Sequence, residues 1–461
     1  MASLSGSLSI ALGGLQADQD GLNVTSNNIS NINTPGYTRE VLDLNEQAPT
    51  RSGELVFGNG VSVDKITSVR DTILEQNIAS ATQQQSQSQA YSNAMTQVES
   101  MFNDTSGTGL QSALSGFYDS FTQLAANPTD SAQRQAVISA AQTLASSLNQ
   151  DASNLNNIDS GLDQQVNADV QQINSLASQI ANLNGQIGPS SSGQSSNGAL
   201  LDQRTQLVQQ LSALTGVTVT NNSDGSISIT TGNGSSLVSG TQASELTTGV
   251  DPATDHQHVY AQGVDITATL SGGDLAGTIQ ARDQGVDATL SQLDTLAAGI
   301  ASSVNSTQQA GYDLNGNPGQ DLFTVPGSVS GTAAAISVNL TSPDEVAASG
   351  SATDSGDNSN ALALAALQNQ NNIDGENPID YYSNLVSQLG SGVSQATADV
   401  KAQQSVLTQL QQQLSSESGV SLDEESVNLI QYQRAYQASA EVISTISDLM
   451  SVAVNLGAGT A

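Results

Sequence analysis

The chain has 461 residues with 43 acidic and 9 basic side chains, which gives a formal net charge of −34. This charge argues against nucleic acid and anionic membrane surfaces as partners, because both are bound through lysine and arginine. The absence of cysteine excludes disulfides, cysteine–zinc sites and thiol nucleophiles. No apolar run is long enough to predict a transmembrane helix, and the first ten residues are not typical of a secretory signal peptide. The composition suggests export without a cleaved signal.

The N-terminal segment carries an apolar residue at every seventh position, at Leu8, Leu15, Leu22 and Ile29. This spacing is typical of a helix that packs against another helix. Asparagines then become frequent, and asparagine favours caps and turns over helix interiors. We expect the helix to end near them and a tight turn to follow at Thr34–Tyr37, where proline presets φ and glycine allows a positive φ.

The C-terminal segment shows the same seven-residue spacing. Ser421 and Glu424 match a capping box, which predicts the start of a helix. The apolar positions that follow are Leu422, Leu429, Tyr436, Ile443 and Met450. Both chain ends are therefore predicted to be amphipathic helices that pair as a coiled coil, and their nine seam residues are the candidate assembly interface.

The middle of the chain combines further heptad stripes with alternating, strand-like segments. The stripes predict long helices bundled side by side. Val217–Thr220 and Ile227–Thr230 alternate around Asp224–Gly225, which predicts a β-hairpin. The predicted fold is mainly α with β insertions. Its parts are an inner terminal-helix domain (1–36 and 419–461), a helical rod domain (37–200, 276–312 and 357–418), a small outer β-rich domain (201–275) and a second insertion (313–356) that is either separate or part of the outer domain.

Few residues in this chain could carry chemistry. His256 and His258 could share one side of a strand as metal ligands, but no third ligand is evident, so a polar surface is favoured. Asp313–Asn317 resembles the opening of a calcium loop but lacks the glycine and glutamate that such a loop needs, so a turn is favoured. We predict no catalytic residue, cofactor or metal, and no enzymatic activity.

Two terminal motifs are similar to those of a known family. Ser26–Arg39 resembles the N-terminal signature of the bacterial flagellar axial proteins, and Gly419–Glu425 with Asn428–Ala440 resembles their C-terminal signature. This family comprises rod, hook and hook-associated proteins. Gly36–Arg39 has the form that is typical of the hook-associated members, and three internal segments also resemble them: Ile180–Asn184, Leu200–Val208 and Asp357–Ala365. The residues of the turn signature are Asn27, Asn28, Asn31, Thr34, Gly36 and Tyr37.

The resemblance implies a structural protein of the flagellum, secreted by type III export and located at the junction between hook and filament. It implies terminal helices that are disordered in the monomer and ordered in a helical ring or tube of copies. The implied partners are the hook protein, a second hook-associated junction protein and an export chaperone on the C-terminal helix, with neither nucleic acid nor membrane. Two alternatives stay open: a hook or distal-rod protein, and a secreted adhesin or enzyme with helical stalks.

Overall fold

The computed structural model describes residues 2–52, 55–102, 109–187 and 197–458, and it confirms a mainly helical fold with small sheets. Long helices at both chain ends enclose the other elements in sequence. In chain order the helices are α1 (Ala2–Asn31), α2 (Thr72–Met101), α3 (Leu110–Ala126), α4 (Ser131–Ile187), α5 (Gly198–Leu214), α6 (Gly273–Gln280), α7 (Asp287–Ala310), α8 (Thr332–Ala335), α9 (Ser359–Ala366), α10 (Pro378–Ser418) and α11 (Leu422–Ala458).

The first strands form a hairpin directly after α1. They are β1 (Glu40–Glu46), β2 (Thr50–Ser52), β3 (Leu55–Phe57) and β4 (Val61–Ser68), with β1 antiparallel to β4 and β2 antiparallel to β3. The sequence analysis placed this region in a helical rod domain, so the hairpin differs from that expectation. Most side chains of β1 and β4 are exposed or half-buried, and the alternation of apolar residues that marks a strand is correspondingly weak.

The β-rich region between α5 and α6 contains two small antiparallel sheets. The first has the order β5 (Val217–Asn221), β6 (Ile227–Thr231), β7 (Ser236–Ser239), β8 (Gln242–Ala243). The second has the order β11 (Val264–Asp265), β10 (Gln257–Ala261), β9 (Leu246–Val250). The predicted hairpin is confirmed, since Val219 lies opposite Ile229 and Gly225 adopts φ 83° in the turn. Two short strands, β12 (Phe323–Thr324) and β13 (Ser337–Val338), form a separate pair.

Two hydrophobic cores share helix α4. The helical core contains α4 up to Leu155 together with α3, α7, α9 and parts of α2 and α10. The β core contains α4 from Val166 onwards together with α5, α6 and the two sheets between them. Phe323 and Ile336 of the second predicted insertion are buried in the helical core, so that segment packs with the helices and not with β5–β11.

Buried Arg134 holds the second insertion against α4. Its Nε donates to the carbonyl of Pro128 at 2.7 Å, and its NH1 donates to the carbonyl of Val346 at 2.6 Å. Burial lowers the pKa of Arg134. The guanidinium therefore connects the segment before α4 to the second insertion through two backbone carbonyls.

Buried Asp169 makes the contact between α4 and α6 sensitive to pH. The side chain accepts a hydrogen bond from Gln165 Nε2 at 2.8 Å, but its Oδ2 is buried without a partner. Burial, and then the charge of Asp274, raise the pKa of Asp169 from 3.8 to about 7. The neutral form is the one that the folded protein favours.

Asp169→Asn is expected to flatten the pH dependence of stability. Because the folded-state pKa is raised, the stability contributed by the neutral carboxyl is fully present below pH 4 and is lost as the pH rises through 7. The variant should match the wild type at pH 4 and exceed its free energy of unfolding at pH 8 by about 1 kcal/mol or more. Denaturant unfolding across this range measures it. Asp119→Asn, on an exposed position of α3, should retain the wild-type profile.

Candidate assembly interface

The two terminal helices pack against each other in antiparallel orientation. Gly21 of α1 faces the ring of Tyr432 of α11, while Gly14 lies beside Ser439 further along. Ser439 Oγ also donates to Asp18 Oδ2 at 3.2 Å. A Cβ atom at Gly21 would lie 2.5 Å from the Tyr432 ring, so only glycine permits this close approach.

The nine predicted seam residues differ in their burial. Leu422 is 50% exposed at the start of α11. The other eight are half-buried: Leu8, Leu15, Leu22, Ile29, Leu429, Tyr436, Ile443 and Met450. The apolar side chains that are fully buried lie at other positions, namely Ala11, Ala17 and Val24 of α1 and Ile446 of α11. The pair thus leaves the predicted seam only partly covered within one chain.

The hairpin β1–β4 covers a further side of α1. A Cβ atom at Gly13 would lie 2.8 Å from the carbonyl oxygen of Val61, and Gly60 approaches Ile10 closely. Helix α1 therefore has neighbours both in α11 and in the hairpin. Helix α11 has no such second neighbour among the described residues.

Helix α11 carries a second apolar face. Five aliphatic side chains there fall within an arc of about 120° at 100° per residue. They are 49–63% exposed: Val427, Ile430, Val442, Leu449 and Val452. We call these five residues the outer face of α11. The same arc also carries exposed Arg434, Glu441 and Asp448, so the aliphatic residues alternate with charges along the helix. Exposed aliphatic side chains gathered on one face mark interaction surfaces.

The turn after α1 is built around the side chain of Asn28. Its Nδ2 donates to the carbonyl of Glu40 at 2.9 Å, and its Oδ1 accepts from the Glu40 amide at 3.0 Å and from the Tyr37 hydroxyl at 2.8 Å. Asn28 is only 1% exposed. The side chain thus pairs with the strand as a neighbouring backbone would, and it fixes the direction in which the chain leaves α1.

The other signature residues hold the turn itself. Asn27 Nδ2 donates to the Tyr37 hydroxyl at 3.3 Å, Asn31 Nδ2 donates back to Asn27, and Thr34 Oγ1 donates to Asn31 Oδ1 at 3.2 Å. Gly36 adopts φ 78°, as the predicted turn requires. Burial, and then the negative charge of Glu40, raise the pKa of Tyr37, so its hydroxyl stays protonated and remains a donor.

Contacts from distant segments fasten this turn to the rest of the chain. The Thr38 amide donates to Asp202 Oδ2 at 3.1 Å, and Asp202 is paired in turn with Arg70. Gln206 Nε2 donates to the carbonyl of Pro35 at 2.7 Å. Helix α5 thereby contacts the turn through two side chains spaced one helical turn apart.

Arg39 joins the turn to the last two helices. Its amide donates to the carbonyl of Ser418 at 2.9 Å, and its NH1 lies 2.8 Å from Glu424 Oε2. Glu424 is thus paired with Arg39, while Ser421 Oγ accepts from the Glu424 amide at 3.5 Å as the predicted cap requires. The turn, the end of α10 and the start of α11 meet at this residue.

The sequence analysis missed four residues that hold the turn after α1 in place, namely Asp202, Arg70, Gln206 and Glu40. Their partners are far away in sequence, and no spacing rule connects them. One usable signal was that Arg70 is one of only 9 basic residues among 43 acidic ones, so an ion pair with some carboxylate could be expected.

The residues considered for metal binding also have defined positions. Asp313 Oδ1 accepts from the amides of Asn315 and Asn317, both at 2.8 Å, which confirms the turn. His258 lies in β10 and its Nδ1 is 2.7 Å from Asp265 Oδ2. The expectation of a polar surface is wrong for His256, which is only 9% exposed because α4 and the start of α7 cover it.

Comparisons with known proteins agree with this geometry at both ends and in the middle. Residues 8–38 match the model described as "Flagella basal body rod protein", and 411–456 match "Flagellar basal body rod FlgEFG protein C-terminal". Residues 95–323 match "Flagellar hook-associated protein FlgK helical domain". The two terminal segments and the central part of the chain are therefore each similar to flagellar proteins.

Relatives that match along nearly their whole length share one name. Flagellar hook-associated protein 1 of Escherichia coli strain K12 is 30% identical over 545 residues, which cover 97% of this chain and 98% of that protein. The chain belongs to the flagellar hook-associated protein 1 family. The protein of that name from Bacillus subtilis strain 168 is 28% identical over 494 residues, covering 96% of this chain and 97% of the relative.

A solved structure supports the fold. The flagellar hook junction protein FlgK from Burkholderia pseudomallei aligns with a TM-score of 0.68 at 21% identity, covering 74% of this chain and 100% of that chain. Membership of the hook-associated protein 1 family makes the chain a structural protein of the flagellum that assembles with hook components. The matches do not favour the alternatives of a hook or rod protein, or of an adhesin or enzyme. None of the described helices has the length and hydropathy to cross a membrane.

Asn28→Ala is expected to loosen the joint between α1 and β1. It leaves the buried Glu40 backbone groups without their partners, at a cost of about 1–3 kcal/mol. Amide exchange of Glu40–Glu46 should accelerate about 5- to 150-fold. Asn31→Ala is the matched control, because the side-chain amide of Asn31 donates only to Asn27 at the end of α1. Exchange in β1 should then stay within about twofold of the wild type. Equal exchange in the two variants would contradict the role of Asn28.

Proposed function

We propose that this chain forms the junction layer between the flagellar hook and filament, as a helical ring or tube of its own copies. The observation that carries the proposal is the outer face of α11, which one chain leaves uncovered. The inner domain would comprise 1–36 and 419–461, with the helical rod domain around it and the β-rich domain (201–275) towards solvent. Family membership supports this position in the flagellum.

The energetics favour covering the outer face by assembly. Each aliphatic side chain that becomes fully buried contributes about 1.5–3 kcal/mol. Ordering the backbone of a terminal helix costs about 1–2 kcal/mol per residue. Within α11 only Ile446 and Glu425 are buried among the residues whose side chains are described. The pair therefore gains most of its stability when neighbouring copies cover both the half-buried seam and the outer face.

The proposed partners follow the order of assembly. Before export, a chaperone would hold α11 by its apolar surface, which is helix-in-groove recognition. Export would use the flagellar type III channel, with the terminal helices unfolded. In the finished structure the layer would contact the hook protein on one side and a second hook-associated junction protein on the other. The proposal assigns no enzymatic reaction and no cofactor to the chain.

Terminal helices that order only on assembly predict a difference in amide exchange. We expect residues 8 to 29 to exchange at least tenfold faster in the free monomer than in assembled material, because assembly supplies the missing apolar contacts. Helix α3, whose apolar residues are buried within one chain, is the internal control and should be protected in both states. Strong protection of residues 8 to 29 from exchange in the free monomer would refute the proposal that the terminal helices order only on assembly.

Leu449→Asp is expected to block assembly without unfolding the chain. Leu449 is 54% exposed, so a carboxylate there stays solvated in the monomer but would be buried between copies. In cells lacking the chain we expect hooks without filaments and flagellin in the medium. The variant should restore filaments at least tenfold less often than the wild type by electron microscopy. Leu15→Asp and Ile443→Asp, in the half-buried seam, should fail likewise.

Ser444→Asp is the matched control for Leu449→Asp, because Ser444 lies between the seam and the outer face. It adds the same charge at an exposed position about 140° away around α11, and it should support filaments as the wild type does. Normal filaments with Leu449→Asp would refute the role of the outer face. Loss of the hooks themselves in cells lacking the chain would place the protein in the hook or rod and overturn the junction proposal.

A further inference from the structure

A polar cluster lies between the two hydrophobic cores. Helix α4 contributes Leu155 to the helical core and Val166 to the β core, and Asp159 and Asp163 lie between them. On the opposite side, a π-helical turn at Ala281–Val286 links α6 of the β core to α7 of the helical core. The cores are thus joined here by charged side chains, with His256 in the middle.

Arg282 forms ion pairs with two carboxylates of this cluster. The arginine is fully buried, with NH1 2.5 Å from Asp163 Oδ1 and Nε 2.7 Å from Asp283 Oδ1. Its NH1 also donates to the carbonyl of Gln257 at 2.9 Å. Asp159 and Asp287 have no ion pair with Arg282 in the described part of the chain, so their negative charges are left facing the histidine.

His256 is nine-tenths buried and its ring points into this group. Its Nε2 lies 3.4 Å from Asp159 Oδ1 and 3.8 Å from Asp287 Oδ1. Its Nδ1 lies 3.6 Å from Asp283 Oδ1. Among the described residues, Asp159 Oδ1 is buried without a hydrogen-bond partner. A buried polar atom normally has a partner, so this oxygen points to a missing ligand beside His256.

We infer that Asp159, His256 and Asp287 bind a divalent transition-metal cation of the Zn²⁺ type. One ligand atom from each residue lies within 4.8 Å of the other two. Ligands about 2.0–2.2 Å from a tetrahedral ion are about 3.3–3.6 Å apart, so small side-chain shifts would close the site. One imidazole and two carboxylates suit zinc better than calcium or magnesium, which prefer oxygen ligands in larger number. The fourth position would hold water.

The bound cation would clamp the two cores together. Asp159 belongs to α4, His256 directly precedes β10, and Asp287 begins α7. The ion would also neutralise two carboxylates that share a partly buried space. This inference does not depend on the junction proposal, because it concerns contacts within one chain and can be tested on the free monomer.

The test is zinc titration of the metal-stripped, full-length chain by calorimetry, with thermal unfolding alongside. We expect one tight equivalent and a rise in Tm of several degrees at saturating Zn²⁺, because the ion binds the folded state. His256→Gln and Asp287→Asn should each lower the affinity at least tenfold and lose the rise in Tm. His258→Gln, which alters the other histidine, should bind as the wild type does.

Asp287→Asn keeps the inference testable even if His256→Gln fails to fold, because the Asp287 side chain is 41% exposed. Absence of a tight equivalent in the wild type would overturn the inference. So would wild-type affinity in Asp287→Asn, or a loss of binding in His258→Gln equal to that in the other variants, since either result places the ion elsewhere on this acidic chain.

Discussion

Helix α4 is the element on which the arrangement of the whole chain depends, because it belongs to both hydrophobic cores. It has 57 residues, and at 1.5 Å per residue it is about 86 Å long. Its N-terminal part packs with α3 and α7, and its C-terminal part packs with the β sheets. The fully buried apolar side chains of α4 stop at Leu155 and resume at Val166, and between them Ile158 and Leu162 are only partly buried. Polar side chains have to set the relation between the cores there.

Basic side chains connect separate parts of the chain throughout the molecule. Of the 9 in the sequence, five arginines connect elements that are distant in sequence. These are Arg39, Arg70, Arg134, Arg204 and Arg282. Exposed ion pairs contribute little to stability, whereas removing one partner of a buried pair is costly. The arginines therefore act mainly by specifying which segments meet, in a chain whose other charges nearly all repel one another.

The sequence predicted the terminal helices, the β5–β6 hairpin and the turn after α1, because each leaves a local pattern. It predicted neither the β1–β4 hairpin nor the outer face of α11. A heptad stripe shows which side of a helix is apolar, but α11 is apolar on two sides, and only the position of α1 separates them. Asn28 was recognisable as a turn residue, yet its partner at Glu40 and the support from Asp202 arise from long-range packing that no spacing records.

The charge distribution explains how copies with a net charge of −34 can associate. Repulsion of this size keeps free chains apart, but it is screened beyond about 8 Å at physiological ionic strength. Along α11 from Val427 to Val452 the charged residues are only Arg434, Glu441 and Asp448. The acidic residues of this helix are concentrated at its first turn, where they favour the helix dipole. Arg434, Glu441 and Asp448 lie on the outer face, so the surface that copies would share carries one positive and two negative charges. The repelling charge lies mostly elsewhere on the chain.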